Sequence, residues 1–213
     1  MYRVLLPGFV LLLLAGCGMA TSSLTSGFAN SGQPEPRSSR NRETASIDQP
    51  TKRVAAKSED LAPKGAFEKA PKGALSDRDY SGTRLDVERA RELLNAYRKS
   101  KGLRPLLLQP ALTEAARAHS RDLAKWDRIS HFGSDGSNPW DRVKRAGYPA
   151  KLAAENVGTG QVNIEEVVKG WQASPGHNKN LLLPDAQHMG IALVQDSKTE
   201  FKTFWTLVIG SPL

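Results

Sequence analysis

The chain has 213 residues, a formal net charge of +8 and 39% hydrophobic residues, which suits one globular domain with tails. The positive excess is thinly spread and no basic stripe carries interleaved aromatics, so nucleic acid is not expected as a partner. Cys17 is the only cysteine, which excludes disulfides within one chain.

The N-terminus reads "MYRVLLPGFVLLLLAGCG", with Arg3 followed by an apolar run from Val4 to Leu14. As a helix that run spans about 16 Å, against about 30 Å of hydrocarbon, so it is too short for an ordinary membrane span. It has the pattern of a secretory signal peptide. Its end, "LAGC" from Leu14 to Cys17, resembles the bacterial lipobox. The resemblance implies that residues 1–16 are removed and that Cys17 is lipidated. Several acyl chains on one residue give stable anchoring, where a single chain would not. Gly18 follows the cysteine, and the resemblance to Gram-negative sorting then implies the outer membrane, facing the periplasm.

Residues 17–82 turn to Ser, Pro, Gly, Lys and Ala, with isolated apolar residues at no regular period. Such a segment buries too little surface to offset chain entropy and is expected to be a disordered tether. "APKGA" occurs twice, at 62–66 and 70–74, a low-complexity echo within the linker. As a flexible coil of roughly sixty residues it would reach about 45 Å.

The folded domain is expected over 83–213. Thr83 to Asp86 reads as a capping box, and Leu85, Ala90, Leu93, Leu94 and Tyr97 recur at helical period until Gly102. "GLRPLLLQP" reads as a connector. A second helix follows Pro110, with Leu112, Ala116, His119, Leu123 and Trp126 on one stripe. That stripe makes His119 a buried histidine, expected to bond a carbonyl. "HFGSDGSNPWDRVKRAGYP" predicts a loop and then a short helix from Pro139 to about Ala146. "AAENVGTGQ" predicts a brief extended piece, and Ile164 to Ala173 a helix with Val167, Val168 and Trp171 inward. Ile191 and Leu193, then Phe204, Trp205, Leu207 and Ile209, read as two strands turned at "QDSKTE". Helices followed by strands argue an α+β class, with helices packed on a small sheet.

The segments "AHSRDLA", "SHFGSDGSNPWDRVKRAGY", "AENVGTG", "VVKGWQASPGHNKNLL", "MGIALV" and "FWTLVIG" occur in one order. Together they resemble the bacterial branch of the CAP superfamily (cysteine-rich secretory proteins, antigen 5, pathogenesis-related 1), whose domain is also called SCP. The resemblance implies an α–β–α sandwich and a cleft with two histidines and two acids. Matched to this chain, the histidines fall on His131 and His177. The first acid falls on Glu155, followed by Asn156, and the second on Ser174. Glu166 cannot supply the missing acid, because eight residues of helix put it about 12 Å from Ser174. Leu207 stands where bacterial relatives often have glutamine, which would make that part of the cleft apolar.

His131, Glu155 and His177 leave three readings open. Two imidazoles and a carboxylate match the inventory of an open zinc-type site, with His131 and His177 as metal ligands and a divalent metal as the candidate cofactor. The same groups suit acid–base hydrolysis of cell-wall or peptide bonds. A nucleophile is not evident: Ser174 and His177 lie three apart, but Pro175 and Gly176 between them predict that the hydroxyl caps the following turn. The third reading is structural, a carboxylate accepting from both histidines and pinning their loops together. The overall expectation is a lipid-anchored envelope protein with a monomeric SCP domain. Its cleft, including Asn156 and Ser174, would bind a lipid, a glycan strand or an envelope protein.

Overall fold

The computed structural model describes residues 59–213. The signal peptide, Cys17 and the first part of the linker lie outside the described residues.

Four strands form one sheet in the order β2, β5, β6, β4: Leu107–Leu108, His188–Gln195, Thr203–Pro212 and Ala150–Thr159. β2 runs parallel to β5, and the other neighbours are antiparallel. The sequence of β6, "TFWTLVIGSP", is buried along almost its whole length, as a central strand covered on both faces must be. Its successive side chains divide between two cores. Trp205, Leu207 and Ile209 pack with α1 (Val87–Ser100), α4 (Ile164–Ala173) and α5 (Pro175–Leu181). Val208 packs with α2 (Pro110–Trp126) and α3 (Pro139–Arg145), and Phe204 with the C-terminal half of α2. The outcome is the expected α–β–α sandwich.

The stripe on α2 points inward as its spacing predicts, with Leu112, Ala116, His119 and Leu123 buried. Its first turn lies directly on β5 at Gly190, where a Cβ would stand 2.1 Å from the Thr113 nitrogen. Only glycine lets helix and strand approach so closely.

Several local expectations are corrected. The cap of α1 is Asp86, whose side chain accepts from the Arg89 nitrogen, while the Thr83 hydroxyl is buried without a partner. The connector "GLRPLLLQP" contains β2, because the Gln187 and Met189 carbonyls receive the Leu107 and Gln109 amides. The brief extended piece is a full strand of ten residues, β4. The turn expected after Ser174 is a helix, α5, with Pro175 in its first turn.

The largest difference concerns the second half of the expected tether. Residues 59–82 lie on the domain as a strap. Phe67 and Glu68 form β1, paired antiparallel with β3 (Ile129–Ser130). Asp60 bonds the Arg128 guanidinium, and that guanidinium lies 5.0 Å from the centre of the Phe67 ring. Further along, Tyr80 donates to the Gly160 carbonyl at 3.0 Å and Arg78 pairs with Glu166 at 2.6 Å. The strap has no core of its own and takes its order from partners far along the chain, so its composition alone did not disclose it.

Candidate functional site

β4 is an edge strand, and its two neighbouring residues Glu155 and Asn156 send their side chains to opposite faces. On the α2 and α3 face, Glu155 Oε1 lies 3.0 Å from His131 Nδ1. Its Oε2 receives Arg142 Nη2 at 2.7 Å. The same Arg142 nitrogen donates to the His131 carbonyl at 2.9 Å, and Nη1 donates to the Ser137 carbonyl at 2.8 Å. The guanidinium thus ties the carboxylate to the loop that carries His131. That loop is held from below by Asp122, which accepts from the Ser134 nitrogen at 2.7 Å.

His119 completes this side. Its Nε2 donates to the Ser130 carbonyl at 2.8 Å and lies 3.5 Å from Glu155 Oε1. It is the buried, carbonyl-bonded histidine that its helical stripe predicts. The histidine pair around Glu155 is therefore His131 and His119, and not His131 and His177. Burial works against the Glu155 charge, yet Arg142, His119 and His131 outweigh it and hold the carboxyl well below the usual carboxylate range. Burial, reinforced by Arg142, lowers His119 from 6.5 to about 4 despite Glu155, so it is neutral at pH 7.

On the opposite face Asn156 is a brace. Its Nδ2 donates to the His177 carbonyl at 3.1 Å, and its Oδ1 receives Asn180 Nδ2 at 2.9 Å. Asn180 Nδ2 also reaches the Glu155 carbonyl at 3.0 Å. These bonds fix α5 against the edge of the sheet and so set where His177 stands. The His177 residue is 9% exposed. Burial, with a smaller contribution from His131, lowers it from 6.5 to about 4.

His177 lines a groove of about 370 Å³ between the edge of β4, Ile129 on β3, and the α4–α5 junction. Val157, Trp171 and Pro175 supply apolar wall, and Gln161 and Ser174 supply polar groups. Three polar atoms of these lining residues are buried with no hydrogen-bond partner: Gln161 Oε1, Ser174 Oγ and His177 Nε2. The Ser174 hydroxyl therefore does not cap α5, contrary to the expectation from "SPGH", and it makes no bond to His177. Leu207 is also not a groove residue, because it is fully buried in the core beneath α1 and α4.

The residues do not suit the zinc-type reading. Glu155 spends one oxygen on His131 Nδ1 and the other on Arg142. Among the described residues no group of three or more His, Cys, Asp or Glu is placed to hold a metal ion. Arg142 and Asn180 were not singled out in the sequence. Arg142 had one visible signal, since Pro139, Arg142 and Val143 form the inward stripe of the predicted short helix.

An α–β–α sandwich with a histidine-lined groove at one sheet edge defines an SCP-type domain. The chain belongs to the cysteine-rich secretory protein (CAP) family, which matches residues 91–209. It is 38% identical over 115 residues to the uncharacterized protein YkwD of Bacillus subtilis, a match that covers 54% of this chain and 43% of that protein. The chain thus spans less than half of that relative's length. Among solved structures it is similar to an extracellular SCP-domain protein of Bacillus anthracis, with a TM-score of 0.52 and 24% identity over 58% of this chain and 39% of the other. It is also similar to an outer surface protein of Borrelia burgdorferi, with a TM-score of 0.54 and 20% identity over 62% of this chain and 99% of the other. At those identities the two likenesses establish the fold.

Proposed function

We propose that this protein is a lipid-anchored bacterial envelope protein whose SCP domain binds a ligand in the groove beside His177. One observation carries the binding reading. Gln161, Ser174 and His177 line a groove of ligand size and leave buried polar atoms unpartnered. A buried polar atom without a partner costs about 1–3 kcal/mol, a cost that a bound ligand would recover. The anchoring reading is supported by "LAGC" ending at Cys17. The extracellular and outer-surface relatives agree with an envelope location.

The hydrolase reading has less support. Glu155 is neutralised by Arg142 and lies on the other face of the sheet from Asn156. Ser174, a hydroxyl lining the groove, has no base bonded to it.

The test follows the Trp171 indole signal of the full chain by NMR, because Trp171 lines the groove. The probes are palmitate, an N-acetylglucosamine tetramer and a mixture of randomised octapeptides. At least one should shift that signal in the natural protein and fail to do so in Ala173→Trp, which fills the groove from an exposed position. Silence with all three probes removes the binding reading. Release of new amines or reducing ends from cell-wall sacculi, lost in His177→Phe, would establish the hydrolase instead. Replacement of Cys17 by serine should move the protein from the membrane to the soluble envelope fraction, and unchanged fractionation removes the anchor.

A further inference from the structure

The open edge of β4 adds a feature that narrows the class of ligand. In an antiparallel ladder alternate residues turn both N–H and C=O away from the paired strand. Gly160 donates to the Thr203 carbonyl at 3.0 Å, which places Gly158 and Gly160 in bonding register with β6. Glu155, Val157 and Thr159 must then present their backbone groups to the other side. Two side-chain bonds agree: Asn180 Nδ2 reaches the Glu155 carbonyl, and Trp171 Nε1 reaches the Val157 carbonyl, both at 3.0 Å. The backbone N–H groups of Val157 and Thr159, with the Thr159 carbonyl, are left toward the groove that these residues line.

Resting on the reading of the groove as a binding site, we propose that its ligand is an extended peptide, added to the β4 edge as a further strand. Val157 and Thr159 recur every second residue, about 7 Å apart along a strand, which is the repeat of a peptide backbone. Across the groove Gln161 Oε1 offers an acceptor, and Ser174 Oγ and His177 Nε2 offer groups that serve as donor or acceptor. An acyl chain would satisfy none of these, and a sugar lacks the two-residue repeat. The apolar surfaces of Val157, Trp171 and Pro175 would hold alternate side chains. In this mode main-chain bonds supply affinity and side-chain pockets supply selectivity, so a randomised peptide mixture is a fair probe.

The experiment records backbone amide signals of the isotope-labelled full chain with three probes: the octapeptide mixture, palmitate and the N-acetylglucosamine tetramer. The peptides should shift the Val157 and Thr159 amides and slow their hydrogen exchange at least tenfold. Ala173→Trp should abolish both effects. The same mixture N-methylated at every residue, which removes the donors of both strand edges, should bind at least tenfold more weakly. Equal binding by the N-methylated mixture, or peptide shifts elsewhere on the domain, overturns strand addition. Occupation of the groove by palmitate or the sugar alone overturns the peptide assignment and leaves the groove as a binding site. No response to any probe overturns both.

Discussion

Glu155 and Asn156 are consecutive, yet one faces α2 and α3 and the other faces α5. Glu155 accepts from His131 and Arg142, while Asn156 donates to the His177 carbonyl. The alternation of a β-strand thus separates two tasks. One side chain closes a buried ionic network, and its neighbour positions the helix that presents His177 to the groove.

The ionic network predicts strongly non-additive mutations. Arg142→Met leaves Glu155 buried without its cation and should cost about 3–5 kcal/mol. The double change Arg142→Met with Glu155→Leu should recover much of that loss, since a buried pair replaced by apolar residues is often neutral. Chemical denaturation of the natural protein, the two single variants and the double variant measures the coupling. Additive losses would show that the two groups are energetically independent.

Stability should fall on mild acidification. His119 and His177 are lowered from 6.5 to about 4 in the folded protein, so between those values the unfolded chain binds more protons. Their contribution is fully present above pH 6.5 and is lost as the pH falls toward 4. Glu155, also held low, adds to the loss once the pH passes below the ordinary carboxylate value of 4.5. Unfolding free energy measured from pH 7.5 to 4 should decline by a few kcal/mol. His177→Phe should make that slope shallower.

The strap should contribute to the stability of the domain it crosses. Asp60→Ala removes the carboxylate bonded to the Arg128 guanidinium, whose residue is 1% exposed. Loss of that charge-assisted bond should cost about 1–3 kcal/mol. Phe67→Ala should lower the melting temperature as well and raise hydrogen exchange at Ser130, its ladder partner. If both variants melt like the natural protein, the strap adds nothing.

Much of this architecture was legible in the sequence where burial follows a simple period. The stripe of α2 and the bounds of α4 could be read directly, and His119 was located correctly as a buried histidine. The motif residues His131, Glu155 and His177 came from resemblance, because remote convergence leaves no local period to read. Their contacts were not legible. The partner of Glu155 turned out to be Arg142, whose inward place on the short helix discloses burial but not which carboxylate it meets. The strap was missed for a related reason, since Asp60 and Phe67 become meaningful only beside Arg128.

The two-sided division at β4 is tested most directly by comparing thermal unfolding of Glu155→Ala and His177→Phe. Glu155→Ala should strand the Arg142 charge and lower the melting temperature by about 10 °C or more. His177→Phe replaces a ring whose Nε2 has no partner, and should leave the melting temperature unchanged or slightly raised. Equal destabilisation by both, or a neutral Glu155→Ala, would contradict the assignment of one face to the fold and the other to the ligand.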